Sequence, residues 1–192
     1  MIFVRNPELG KVKTRLAKTI GNEKALHIYN LLLDHTNNVV KRVNTDKAVF
    51  YSDYINSNDK WKNDGFLQLM QKGNELGEKM TNAFLKAFNL GYKKVIIIGS
   101  DCFDLDENII NQAFANLNDD EVVLGPAKDG GYYLLGMKAF YPSLFRNKAW
   151  STESVLSDTL LDISKLNISF KLLPTLSDID EEKDLKQYRN LI

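Results

Sequence analysis

The spacing of apolar positions changes period repeatedly along this chain, and each change marks an element. Met1 to Val4 is a short apolar run that stops at polar residues and Pro7, which predicts a buried strand running straight into a loop. From Asn22 to Val43, Ala25, Ile28, Leu32, Val39 and Val43 recur at helical spacing, with Gly21 closing the short segment before them. Lys47 to Ser52 suits a second strand, and the polar Asn56 to Gly65 a loop or insertion. Phe66 to Gln71 predicts a third strand and Leu76 to Asn89 a helix with Met80, Phe84 and Phe88 on one face, stopped near Gly91.

The run Lys94 to Gly99, "KVIIIG", has the continuous β-branched character of a parallel strand buried on both faces. Glu107 to Leu117 reads as the returning helix, and Val122 to Leu124 and Tyr132 to Met137 as strands around a glycine turn. Beyond Trp150, Glu153 to Leu166 predicts a helix with Thr152 as N-cap, Ile168 to Leu173 a strand, and Glu181 to Tyr188 a last helix. Strand and helix alternate, so the expected class is α/β with a mostly parallel sheet and a small antiparallel excursion at "DGGYYLLGM". In such sheets ligands bind beyond the carboxyl ends of the strands, and three strand exits carry polar residues suited to that.

Composition narrows the choice. At 192 residues the chain fits one domain, taken as 1–192. Its 25 basic residues are matched by 25 acidic ones, which disfavours polynucleotide or anionic-membrane binding and makes any basic cluster a local device. The longest apolar runs fall far short of the roughly 20 residues a spanning helix needs. Cys102 is the only cysteine, so no intramolecular disulfide can form, and no charged-then-apolar leader opens the sequence. A cytoplasmic location is expected.

At the first exit, "NPELGKVKTRL" places Lys11, Lys13 and Arg15 at alternate positions after Gly10. If that stretch is extended, the three cations project one way, and together with close backbone approach at Gly10 they form a phosphate-binding line. It lacks the glycine and lysine spacing of a P-loop. At the second exit, "IIIGSDCFDL" sets Asp101 at the mouth of the buried strand, where a carboxylate suits Mg²⁺ held together with substrate phosphates; Asp104 is a weaker second candidate and Asp106 reads as a helix cap. Cys102 reads as packing, and His27 and His35 have no partners spaced for zinc. At the third, "GPAKDGGYYLLGM" displays Asp129 at a turn built on Gly130 and Gly131, and the adjoining Tyr132, Tyr133 and Gly136 suggest a shaped pocket. In "LSDIDEEKDL", Asp178 and Asp180 alternate around Ile179, and spacing alone makes Asp180 an N-cap.

Five ordered blocks, "FVRNPELGKVKTRL", "GNELGEKM", "GSDCFDL", "GPAKDGGYYLLG" and "WST", resemble those of a bacterial family of GT-A-fold nucleotide-diphospho-sugar transferases, some of them labelled arsenosugar-biosynthesis-type glycosyltransferases. Arg5, Asn74, Lys79 and Phe103 depart from that family's commoner Lys, Asp, Arg and Pro. More distantly, "DEEKDL" from Asp180 is similar to a metal-side block of molybdenum-cofactor and phospholactate guanylyltransferases and of CMP-sugar synthetases, with Glu182 in place of the usual Pro.

The resemblance implies a Mg²⁺- or Mn²⁺-dependent transferase using a nucleoside triphosphate or nucleotide sugar and a small-molecule acceptor. Asp101 and Asp180 would hold the metal, Gly10, Lys11, Lys13 and Arg15 the phosphates, and Asp129, Gly130, Gly131 and Tyr132 the acceptor. Lys13, Arg15, Asp101 and Asp129 would carry the chemistry. Nucleotidyl transfer is slightly favoured by the K-x-R after the first strand; glycosyl transfer and a non-catalytic nucleotide-binding module are the alternatives.

Overall fold

A computed structural model describes residues 1–188, so the last four positions of the expected 1–192 unit lie outside the described residues. The elements follow in the order β1 (Ile2–Val4), α1 (Thr14–Ile20), α2 (Asn22–Val40), β2 (Ala48–Tyr51), α3 (Lys60–Asn63), β3 (Leu67–Met70), α4 (Leu76–Asn89) and β4 (Val95–Ile98). They continue with α5 (Glu107–Asn116), β5 (Val122–Pro126), β6 (Tyr132–Met137), α6 (Val155–Leu166) and β7 (Phe170–Leu172); 3₁₀ helices cover Pro142–Phe145 and Glu182–Tyr188.

The strands form one sheet of order β3-β2-β1-β4-β6-β5-β7. Strand β6 runs antiparallel to both its neighbours, β4 and β5, while the other pairings are parallel. The antiparallel element expected from the glycine turn is therefore a central strand. All four residues of β4 are buried, and alternation divides them between the faces. Ile96 and Ile98 join the core under α2 and α5, whereas Val95 and Ile97 join Met80, Phe84 and Ile163 under α4 and α6. This makes a three-layer α/β/α sandwich.

A third, smaller cluster positions the candidate site. Leu16 of α1, Ala25, Ile28 and Leu32 of α2, and Ile179 are buried together with Tyr188. Both Leu16 and Ile179 are fully buried, each worth about 1.5–3 kcal/mol of apolar transfer. They tie the segment after β1 to the segment after β7.

The sequence expectations differ from the structure at identifiable places. Lys11 to Arg15 is not extended: Thr14 begins α1, and Lys13 takes a left-handed conformation, φ 46° and ψ 45°, just before it. The seven-residue α1 hid because its apolar pattern merges with that of α2, with Gly21 at φ 87° between them. The "insertion" Asn56 to Gly65 contains α3, capped by the Asp59 carboxylate accepting from Lys62 N–H at 3.2 Å. Thr152 does not cap α6; its hydroxyl donates to the Ala149 carbonyl, and the helix starts later, after Ser154. The final helix is 3₁₀.

Candidate functional site

Strand β1 has β2 on one side and β4 on the other, so the chain reverses its direction of sheet growth there and opens a crevice beyond the carboxyl ends of β1 and β4. Lys13 follows β1 and Asp101 follows β4, which brings the first two exits to one point. The segment around Ile179 completes it, forming an isolated antiparallel bridge between Asp178 and Cys102, with Ile179 N–H donating to the Asp101 carbonyl at 3.0 Å.

At the centre stands the Lys13 ammonium. It donates to Asp101 Oδ2 at 2.8 Å and to Asp180 Oδ1 at 3.0 Å. Its side chain is only 4% exposed, against 43% for Asp101 and 39% for Asp180, so the cation is inside and the anions face outward. Burial alone would lower the pKa of this ammonium, but the Asp101 and Asp180 carboxylates outweigh it and hold Lys13 above its ordinary value. Arg15, 62% exposed, lies 3.7 Å from the other oxygen of Asp180.

The remaining acids modulate this pair. Asp178 sits beside it, and burial, followed by the Asp101 and Asp129 charges, pushes its carboxyl up to about 7. Ile179, between Asp178 and Asp180, points the opposite way into the small core. Asp180 is not the cap of the last helix: Asp184 reaches back instead, accepting from the N–H groups of Asp180 and Glu181. That leaves the Asp180 carboxylate for Lys13 and Arg15.

Three buried polar residues that escaped the sequence analysis hold the exits in register. The Asn6 side chain bridges β1 to the end of β2, accepting from Asp53 N–H at 3.0 Å and donating to the Tyr54 carbonyl at 2.9 Å. From α2, Tyr29 donates to the Arg5 carbonyl and accepts from Arg5 N–H, with its oxygen 3.4 Å from Ser100 Oγ. Ser100 in turn donates to Asp101 Oδ1 at 3.3 Å. For Asn6 and Ser100 the only signal was a polar residue shortly after a strand, which loops carry everywhere, and Tyr29 inside α2 gave none.

The third exit packs differently from its expectation. Gly130, at φ 88°, lies where a Cβ would collide with the Glu153 backbone carbonyl, so glycine is required to seat the β5–β6 turn on the segment leading into α6. Asp129 Oδ1 accepts from Gly131 N–H at 2.9 Å, stabilising the turn. The tyrosines face inward. Tyr133 covers Gly125 and donates to the Pro174 carbonyl, while the Tyr132 hydroxyl is buried with no hydrogen-bond partner among the described residues. Tyr132 therefore offers no hydroxyl to an acceptor, because strand alternation turns it into the core beneath α4 and α6. The "GNELGEKM" and "WST" blocks also meet in packing, since the Trp150 indole lies against Gly77.

Of the other candidates, Lys11 is exposed and paired with Glu8 at 2.6 Å, away from Lys13. Gly10 has φ 76°, a turn conformation that glycine adopts freely. Asp106 caps α5 by accepting from Ile109 N–H. The Cys102 thiol is buried, and desolvation, reinforced by Asp178, raises its pKa to about 12. His35 stacks on Phe103 and lies within 2.8 Å of the Leu105 carbonyl. Among the described residues, no cluster of three or more His, Cys, Asp or Glu side chains is arranged to hold a metal by itself, and no helix is long and apolar enough to cross a membrane.

Residues 35–152 match the family described as "Uncharacterized protein conserved in bacteria (DUF2064)". A solved protein from Desulfovibrio desulfuricans G20, assigned as a nucleotide-diphospho-sugar transferase, is 30% identical over 99% of this chain and 86% of its own, with a TM-score of 0.89. The inositol-1-phosphate CTP transferase of T. maritima shares the fold at 14% identity and TM-score 0.59, covering 98% of this chain and 92% of that one. So does 4-diphosphocytidyl-2C-methyl-D-erythritol synthase of Anaerococcus prevotii DSM 20548, at 11% identity and TM-score 0.61, with 98% and 95% covered. No curated protein matches the chain. The match across its central 35–152 and the 30% identity over nearly its whole length show that the chain belongs to the bacterial DUF2064 family, built on the nucleotide-diphospho-sugar transferase fold.

Proposed function

We propose that this protein is a metal-dependent nucleotide-using transferase that moves a nucleotidyl group from a nucleoside triphosphate to a small-molecule acceptor. The observation that carries the reading is the Lys13 ammonium buried between two outward-facing carboxylates at the sheet's switch point, with Arg15 on the rim.

The donor set fits Mg²⁺ or Mn²⁺. Asp101 and Asp180 converge on one cationic atom, Lys13 Nζ, and remain partly open to solvent. Two carboxylates completed by substrate phosphates and water is a common arrangement for Mg²⁺. Such an ion would supply charge neutralisation at phosphate oxygens.

The chain's own groups do the rest. An acceptor oxygen forms its bond to the α-phosphorus as the bond from that phosphorus to the pyrophosphate leaving group breaks. Arg15, on the exposed rim, stabilises the negative charge on the phosphate oxygens by a two-pronged contact, while the buried Lys13 ammonium holds the Asp101 and Asp180 carboxylates in place behind them. Asp129, presented by the Gly130–Gly131 turn, takes the acceptor's proton. The fold-sharing CTP transferase and diphosphocytidyl synthase support this reading by name.

The assigned name of the Desulfovibrio relative favours a second reading, glycosyl transfer from a nucleotide sugar. One assay separates them. Incubation with Mg²⁺ and a panel of nucleoside triphosphates and nucleotide sugars, with a mixture of small phosphorylated and hydroxylated acceptors, should release pyrophosphate from a triphosphate. Release of nucleoside diphosphate from a nucleotide sugar would establish the second reading. No Mg²⁺-dependent thermal stabilisation by any nucleotide would overturn both.

A further inference from the structure

On the α4 side, the fold leaves one face of the sheet partly uncovered. Strand β3 is one edge of the sheet, and its Leu69 pairs in register with Phe50 of β2, placing the two side chains next to each other on the α4 side. Helix α4 covers the middle of that face and leaves a groove of about 570 Å³ along β3. Phe50, Leu69, Met70, Ala83, Leu85 and Leu90 make its apolar lining.

The rim has one sign of charge. Lys72 stands at the end of β3, and Lys79 and Lys86 line α4 two turns apart on one stripe. No acidic residue lines the groove, and none of these three lysines joins an ion pair among the described residues. In a chain whose charges balance overall, three ammonium groups with no acid among the lining give the rim of this apolar floor a single local sign.

We infer that the β3–α4 groove is a second ligand site, for a free single-chain amphipathic anion: a medium-length acyl or alkyl chain ending in a carboxylate or phosphate. Its volume lies in the range of small-molecule sites. The apolar floor takes the chain, and the lysines take the head. Most of the lining comes from α4, between Lys79 and Asn89, and Phe50 comes from the inner strand β2, which favours a flexible chain over a peptide strand added along β3.

Decanoate and decyl phosphate are the probes, titrated into the full-length protein and followed by backbone amide NMR, with decanol and inorganic phosphate as controls. Saturable shifts confined to β3 and α4, at least about tenfold tighter for the anions than for decanol and absent with inorganic phosphate, are expected. The surface double variant Lys79→Gln/Lys86→Gln should weaken both probes about tenfold and leave decanol unchanged. Ala83→Trp should block all of them, and if it fails to fold the lysine variant alone decides. Equal affinity for decanol and decanoate, an unaffected lysine variant, shifts outside the groove, or binding only to anionic vesicles or to an acidic peptide would each overturn the assignment.

Discussion

Lys13 is the residue on which the site turns, because a buried ammonium with two carboxylates tolerates the loss of one partner far better than of both. Asp101→Asn or Asp180→Asn alone should cost about 1 kcal/mol, since the other acid remains and each is partly solvated. The double variant strands the cation and should cost about 3 kcal/mol or more, a non-additivity that urea denaturation of the four proteins measures directly. Arg15 answers a different question. Arg15→Lys keeps the charge and, being exposed, should leave stability unchanged, yet weaken Mg²⁺-dependent nucleotide binding through loss of the planar fork. Equal calorimetric affinity in both proteins would place Arg15 outside the phosphate site. Asp178 gives a pH signature: its carboxyl rises from 3.8 to about 7 on folding. Between those values the native protein keeps a proton that the unfolded chain has released, so stability falls as pH rises through that window and is level above it. Asp178→Asn removes the penalty, and its melting temperature relative to wild type should be higher at pH 8 than at pH 4.

At the scale of elements, the site depends on short segments pinned by single contacts. Ile179 anchors the strand-like segment carrying Asp178 and Asp180, and Ile179→Ala should cost about 2–4 kcal/mol by opening a cavity in the small core under α1 and α2. It should also weaken nucleotide binding although it touches no ligand. Two glycines offer an internal control for the β5–β6 turn. Gly91 has φ 93° with nothing near a added methyl group, so Gly91→Ala should cost only about 1 kcal/mol of backbone strain. Gly130 has φ 88° and the Glu153 carbonyl in the way, so Gly130→Ala should cost clearly more. Similar unfolding midpoints for the two variants would show that the turn moves freely off α6.

Across the whole molecule, the two large cores lie on opposite faces of one sheet, and Cys102 sits in the first of them at the edge of the candidate site. Burial, reinforced by Asp178, raises its pKa and leaves far less thiolate at pH 8 than an ordinary thiol would have. Iodoacetamide should therefore modify the native protein only through unfolding, and the labelling rate should follow global stability across the variants above. Rapid labelling of native protein would mean that the β4 exit opens independently of the core.

Periodicity determined the alternation of strands and helices apart from the short α1 and α3, down to the bounds of α4 and β6, because those signals are local: buried faces repeat every two or 3.6 residues. The motif order likewise placed Lys13, Asp101 and Asp180 among the candidates. What only tertiary structure decided is how they meet. Sequence spacing put Lys13 in a line with Lys11 and Arg15, whereas a left-handed backbone and contacts 88 and 167 residues away draw it alone into the interior. Long-range packing likewise set Tyr29 and Asn6 behind the strand exits, whereas Asp184 took the cap from Asp180 through contacts only three and four residues long. Charge pairing and burial are properties of space between segments, and one-dimensional spacing records them only after the sheet order β3-β2-β1-β4-β6-β5-β7 has brought those segments together.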